Sequence, residues 1–189
     1  MYISICGNIG CGKSSLCEGL ANVNNFKIVK EPIEMFSEIL DLYYKNPKKW
    51  SLSLQFQILY VFNFLDLSSN CITERSAYES NEIFANALTQ IGFMNNIEYE
   101  IYKNFYNLVN PKQPDIFIYI QTDPIICYNR IKKRNRKCEQ NIDIDYLTKL
   151  HLLYEHTFNN KKNVFVIDGS KPINIILTET LQIISQQLV

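Results

Sequence analysis

Net charge is the first thing this 189-residue chain lacks: 19 Lys and Arg balance 19 Asp and Glu. No global basic field is present to draw in nucleic acid, so no such partner is expected. None of the six cysteines forms a C-x-x-C pair, and His151 and His156 lie far from them in sequence. The spacing of a zinc site is therefore missing. Cys6, Cys11, Cys17, Cys71, Cys127 and Cys138 read instead as free thiols in a reducing compartment, several of them inside expected strands or helices. No apolar run is long enough to cross a membrane, and the N-terminus reads as a core strand rather than a signal peptide. A cytoplasmic chain with no membrane partner is expected. No repeat, low-complexity stretch or linker divides the sequence, so residues 1–189 are expected to form one domain.

What is present begins at the N-terminus. The run Gly7-Asn8-Ile9-Gly10-Cys11-Gly12-Lys13-Ser14 fits G-x-x-x-x-G-K-[ST] at every position. Tyr2–Cys6 reads as a short strand feeding Gly7, and the chain from Lys13 through Ser15 to Leu20 reads as the start of a helix. Backbone N–H groups of such a loop and helix start can cradle nucleoside triphosphate oxygens. Lys13 would reach the outer phosphates, and the Ser14 hydroxyl would hold Mg²⁺. Further strands are expected at Phe26–Val29, Asn70–Thr73, Asp115–Ile120 and Asn163–Ile167, with helices between them. That alternation predicts an α/β, doubly wound fold with a five-stranded parallel sheet flanked by helices. Trp50 to Leu67 reads as a helix apolar on nearly every face, which places it in a core, an interface or a pocket wall. Gln55 and Gln57 interrupt it, and a buried amide there needs a partner, either a planar base edge or a backbone carbonyl.

Four segments follow the expected strands. Glu31-Pro32-Ile33-Glu34 comes after the second strand, on the edge where doubly wound sheets bind ligands. Glu31 is well placed there as a base, or is a solvated loop carboxylate. Glu74-Arg75-Ser76 follows the third strand. Glu74 can bind Mg²⁺ directly or through water, and Arg75 can hold phosphate or orient an attacking hydroxyl. The alternative is a surface Glu–Arg pair. Asp123-Pro124 can open a helix carrying a basic run from Arg130 to Lys137, with Arg130 and Arg134 on one face and Arg136 just beyond. Such a cluster can close over transferring phosphates as a lid, or form a solvated basic face or short RNA stripe. Asp168-Gly169 ends the last strand, where a loop could contact the adenine of ATP, or simply turn.

Together these features resemble the deoxynucleoside kinase family, from residue 1 to about residue 170. The family's GNIGxGKS loop stands at Gly7–Ser14 and its EPxE segment at Glu31–Glu34. Its tyrosine, Trp-ended basic turn and following glutamine stand at Tyr44, Lys45–Trp50 and Gln55, and its ERS motif at Glu74-Arg75-Ser76. The lid R-x-x-x-R-x-R and its acidic follower stand at Arg130, Arg134, Arg136 and Glu139. The resemblance implies a phosphate-binding-loop kinase fold with an Arg-rich lid at about residues 130–140. It implies transfer of the ATP γ-phosphoryl group, with Mg²⁺, to the 5′-hydroxyl of a deoxynucleoside. By resemblance, Glu31 is the general base, Tyr44 and Glu139 hold the 3′-hydroxyl, Gln55 pairs with the base edge, and Phe84 stacks on it. Arg75 steadies the 5′ end, and Ser14 with Glu74 manages Mg²⁺. A homodimer is also implied, through apolar helices around Phe84–Phe93 and Asp145–Phe158.

Departures from the pattern bear on the acceptor. Phe36 stands where the family usually has Trp. Members preferring deoxycytidine or purines tend to carry Asp at the position of Ser80 and Arg at that of Phe62. Their absence implies a thymidine- or pyrimidine-accepting pocket, which a bulky Phe62 would narrow against purines. Cys138 replaces an often acidic lid position. The chain is short for the family, implying trimmed loops or C-terminal region. Two rival readings share the loop. A thymidylate-type monophosphate kinase would need more cationic groups near its acceptor and no general base. A GTPase-like regulatory protein should show N-K-x-D, which is not found.

Overall fold

A computed structural model describes residues 1–21, 26–67, 70–136, 139–159 and 161–188. The expectations at Lys137 and Cys138 fall outside the described residues. Five strands alternate with helices: β1 Tyr2–Cys6, β2 Lys27–Val29, β3 Cys71–Glu74, β4 Ile116–Gln121 and β5 Val164–Asp168. All pairings are parallel, in the order β2-β3-β1-β4-β5. β1 sits at the centre with every residue buried, as a strand covered on both faces must be. The expected α/β fold is the observed one.

β1 spans the expected residues, and β2 to β5 each start one residue later than the apolar pattern suggests, where polar groups close the sheet's lower edge. The N-terminal ammonium donates to Asn70 Oδ1 at 2.6 Å, Tyr2 N donates to Asp115 Oδ2 at 2.7 Å, and Asn163 Nδ2 donates to Asp115 O at 3.2 Å. At the upper edge the ladder runs further than expected, pairing Ile5 with Glu74 and Gln121 with Asp168. Polar residues thus enter the sheet where a site would use them.

The helices are α1 Lys13–Leu20, α2 Ser37–Lys45, α3 Pro47–Asn63, α4 Ala77–Glu79, α5 Asn86–Gln90, α6 Asn96–Val109, α7 Pro124–Arg134, α8 Ile144–Phe158 and α9 Ile173–Gln187. A 3₁₀ turn, Ile33–Phe36, precedes α2, and a π-helical stretch, Ser80–Ala85, joins α4 to α5. α3 starts earlier than its apolar run, since Asn46 caps it and Pro47 fits its first position. It ends earlier too, tightening into Phe64 N to Val61 O and Leu65 N to Phe62 O bonds. α7 opens as the sequence predicts, with Asp123 Oδ1 accepting from Ile125 N at 2.7 Å and Pro124 next. Among the described residues no helix is long and apolar enough to cross a membrane. Cys6, Cys11, Cys17, Cys71 and Cys127 are free and buried.

One glycine after β5 is required by space. A Cβ on Gly169 would lie 1.9 Å from Thr122 Oγ1 and 2.6 Å from Ile120 Cγ2. Gly169→Ala should therefore destabilise the fold by about 1–3 kcal/mol, as overpacking does. A urea unfolding midpoint equal to wild type would show that this strand end is not close-packed.

Candidate active site

The upper ends of β1, β2 and β3 open on one cavity of about 560 Å³. Its floor is the loop between β1 and α1. Gly10 and Gly12 take left-handed φ values of 80° and 111°, and no side chain caps the start of α1. The first-turn N–H groups of α1 are left for an anion. Lys13 is buried, and its Nζ donates to Gly7 O at 2.9 Å and Asn8 O at 2.8 Å. Ser14 Oγ donates to Glu74 Oε1 at 2.6 Å, which brings two hard oxygen donors together at the loop. That donor set fits Mg²⁺, which takes few protein ligands and keeps several waters.

Beyond the loop lies a buried charged knot. Arg75 Nε donates to Glu31 Oε2 at 3.1 Å. Its Nη1 reaches the Tyr154 hydroxyl at 3.2 Å and Gly7 O at 3.4 Å. The guanidinium carbon sits 4.5 Å from the centre of the Phe84 ring. Burial works against the Arg75 charge, but Glu31, Tyr154 and Glu79 around it hold its pKa well above the ordinary arginine value. Arg75 also has φ of 68°, a strained conformation for a side-chain-bearing residue. Its N–H still bonds Ile5 O at 3.0 Å, so the strain turns the chain out of the sheet and aims the guanidinium back across it.

Glu79 is the partner that the sequence did not single out. It is fully buried; Tyr154 donates to its Oε1 at 2.7 Å and Ser4 to its Oε2 at 3.3 Å. Burial raises its pKa above the ordinary carboxylate range, with Arg75 and Tyr154 pulling the other way. Tyr154 comes from α8, and only the folded chain brings it under β1.

The far end of the cavity is apolar with isolated polar groups. Phe36, Leu54, Ile58, Phe84 and Leu88 line it, with Gln55, Ser80, Tyr44 and Tyr146 among them. Gln55 Oε1 is buried without a hydrogen-bond partner. Gln57, two residues on, donates to Met35 O at 3.2 Å. The two alternatives for these amides are thus divided between them: Gln57 takes a backbone carbonyl, and Gln55 keeps an acceptor for something in the cavity. The π-helical stretch carries Ser80 and Phe84 to this wall, as single π turns often do at sites.

The lid residues lie at the cavity's rim. Arg130 donates to Cys11 O and Gly169 O, each at 3.0 Å. Arg134 Nη2 meets Glu139 Oε2 at 2.6 Å, and Arg136 Nη1 stands 3.5 Å from Glu139 Oε1.

Ile9 to Ser15, Glu31, Phe36, Tyr44, Gln55, Glu74, Arg75, Ser80, Phe84, Arg130, Arg134, Arg136 and Glu139 all line this one cavity. Four expected residues do not. Gly7 opens the loop with its carbonyl turned to Lys13 Nζ at 2.9 Å, and Asn8 turns away, its Nδ2 donating to Leu147 O at 2.8 Å. Phe62 packs with Leu59, Ala77 and Tyr102 in a separate core cluster, so it does not narrow the cavity. An all-apolar helix gives no sign of which face turns to the site, and α3 presents Gln55 and Ile58 to it instead. Asp168 accepts from Ser170 N and Oγ at 2.8 and 2.7 Å, closing its own turn, while Lys171 and Ile173 line the donor end. The helices expected to form a dimer each bury one face, with Leu88 on one and Leu147, Leu150 and Tyr154 on the other in the core, while Leu152 on α8 stays exposed.

The deoxynucleoside kinase family model matches residues 3–186. The kinase protein 029R of Invertebrate iridescent virus 3 is 34% identical over 189 residues, covering 97% of this chain and 96% of the relative. The mitochondrial thymidine kinase 2 of Homo sapiens is 29% identical over 167 residues, covering 81% of this chain and 62% of its own length. The shorter length expected from the resemblance therefore holds against some relatives and not others. The solved deoxyadenosine kinase from M. mycoides, with the products dCMP and a flexible dCDP bound, superposes with a TM-score of 0.89 at 27% identity. That match covers 98% of this chain and 99% of the other.

The buried Glu79 makes stability depend on pH with a definite sign. Its folded pKa is raised, so above the ordinary carboxylate range the folded state binds more protons than the unfolded one. Stability then falls as pH rises through the raised value. Chemical denaturation of wild type and Glu79→Gln across that range should show wild type losing ground to the variant as pH increases. A gap that is constant with pH would remove Glu79 as the titrating group.

Proposed function

Because the chain belongs to the deoxynucleoside kinase family, whose members are ATP-dependent phosphotransferases, we propose that it transfers the γ-phosphoryl group of ATP to the 5′-hydroxyl of a deoxynucleoside. The supporting observation is one continuous cavity running from the phosphate loop, past the Glu31–Arg75 pair, to the unpaired Gln55 Oε1. A neutral hydroxyl acceptor needs a base, and Glu31 would take its proton as the new P–O bond forms, a contribution of about 10²–10⁴-fold. Arg75 would hold Glu31 and the 5′ end in register. Loop amides, Lys13 and the lid arginines would neutralise charge on the transferring group, the larger part of the task in a loose transition state. Mg²⁺, held by Ser14 and Glu74, would neutralise charge on the phosphates of ATP. Tyr44 and Glu139 would hold the 3′-hydroxyl and Phe84 would stack on the base. The uncharged Ser80 on the cavity wall supports a pyrimidine acceptor, thymidine first.

A homodimer is proposed as well, and the fold carries a further apolar face besides the helices expected to pair. Ile97, Ile101, Phe105 and Leu108 form one exposed apolar stripe on α6, beside Tyr60 and Phe64 at the end of α3. Four of these six are more than half exposed by a clear margin, Leu108 at 80% and Ile97 at 74% among them. Stripes of this kind mark protein contacts.

Glu31→Gln should lower kcat by about 10²-fold or more with little change in ATP affinity, and near-wild-type turnover would remove Glu31 as the base. In the same assay, deoxynucleosides should serve as acceptors and their monophosphates should not. Phosphorylation of the monophosphates alone would instead establish the thymidylate-type reaction. Sedimentation equilibrium should give a dimer mass for wild type and a monomer mass for Ile101→Glu; a monomeric wild type would discard the dimer.

A further inference from the structure

Glu79 has no part in the chemistry proposed above, yet it is the most completely buried carboxylate next to it. Its side chain is 0% exposed, against 15% for Glu31. A buried carboxylate is costly unless paired and hydrogen-bonded, so its partners identify what it is kept for. Those partners are Arg75, with Nη1 at 3.7 Å, the Tyr154 hydroxyl at 2.7 Å and the Ser4 hydroxyl at 3.3 Å.

Proton counting gives the arrangement a direction. Gly7 O has two lone pairs and three donors within reach: Lys13 Nζ at 2.9 Å, Tyr154 at 3.0 Å and Arg75 Nη1 at 3.4 Å. Tyr154 has one proton and two acceptors, Gly7 O and Glu79 Oε1. The carboxyl oxygen is the nearer, so it takes that proton, and the bond is strongest when Glu79 is ionised. Gly7 O is then left to Lys13 and Arg75. Arg75 meanwhile lies between two carboxylates, Glu31 on Nε and Glu79 on the Nη1 side. Its charge is shared, and Glu31 does not carry the whole of it.

We infer that Glu79 is a positioning residue for phosphoryl transfer: it anchors Arg75 from the side away from Glu31, leaves Glu31 only a share of that cation, and holds the Tyr154 proton off the loop carbonyl that seats Lys13. The inference rests on the reading of Glu31 as the base. Among the described residues, the titratable groups that face Glu79 are Arg75 after β3, Tyr154 on α8, Lys13 at the phosphate loop, Glu31 after β2, and Cys6 and Tyr2 on β1. Among them only Arg75 and Lys13 are cations. Removing the Glu79 charge leaves Arg75 to Glu31 alone, and a carboxylate beside an unshared guanidinium is a weaker base.

The test is the pH dependence of kcat and of both KM values, from about pH 5 to 9, for wild type, Glu79→Gln, Glu79→Asp, Glu31→Gln and the combination of Glu31→Gln with Glu79→Gln. Gln keeps an oxygen for Tyr154 and removes the charge. Its kcat should fall about tenfold, its KM values should stay within about threefold, and the acid limb should move to lower pH by roughly half a unit or more. Asp keeps the charge at a shorter reach, so the limb should stay near the wild-type position even as kcat falls. The inference is overturned if Glu79→Gln leaves the limb in place, or if Asp moves the limb as far as Gln does. Glu31→Gln separates the two readings. A limb that survives both in Glu31→Gln and in its combination with Glu79→Gln sinks the base itself, whereas a limb lost in Glu31→Gln and unmoved in Glu79→Gln sinks only the role of Glu79.

Discussion

The buried guanidinium of Arg75 is the constraint around which this site is built. It reaches β2's end through Glu31, β1's end through Gly7 O, and α8 through Tyr154. Three elements distant in sequence are thereby fixed to a single cation at the sheet's upper edge. Its backbone accepts a left-handed conformation to do so, a local cost on the order of 1–3 kcal/mol that surrounding contacts must offset. Losing the cation would strand two carboxylates in a region with little water, which is why a buried charge set of this kind is fragile to the loss of any single member.

The donor half of the site was legible in the sequence because its chemistry is local. A glycine loop, a lysine and a serine act within eight consecutive residues, so spacing alone carries the geometry. The strand-end residues Glu31, Glu74 and Arg75 were legible for a related reason: parallel strands deliver their C-terminal ends to one edge. Gln55 stood out as an amide in an apolar helix. Phe62 could not be placed the same way, since a helix apolar on every side carries no record of which side meets the core. Asp168 sits at the right edge, but Ser170 two residues later takes up its carboxylate, a competition that strand-counting does not see. Glu79 and Tyr154 were invisible for the opposite reason. Each lies in an ordinary helical context, and their meaning arises only where α8 passes beneath β1.

The loop and the lid are less separate than their positions in the chain suggest. A Cβ on Gly10 would meet Cys127 O at 2.7 Å, so the phosphate loop lies directly against the first turns of α7. Arg130 adds bonds from the same helix to Cys11 O and Gly169 O. The body of α7 is therefore part of the donor floor. Asn135, left-handed with φ of 53°, ends the helix and separates Arg130 and Arg134 from Arg136. The three arginines thus fall into a fixed part and a part beyond the helix end, joined through Glu139.

The π-helical stretch Ser80–Ala85 adds a constraint on how this chain can change length. A π turn holds one residue more than the α turn it replaces. Deleting a single residue there would restore an ordinary α turn and leave the flanking segments nearly in phase, so what would be lost is the wide turn itself. Ser80 and Phe84, which that turn carries to the cavity wall, would stand one residue closer in sequence on a narrower turn. Loops elsewhere on the surface can lengthen or shorten at modest cost, but this segment cannot: its residue count is part of the shape of the acceptor pocket.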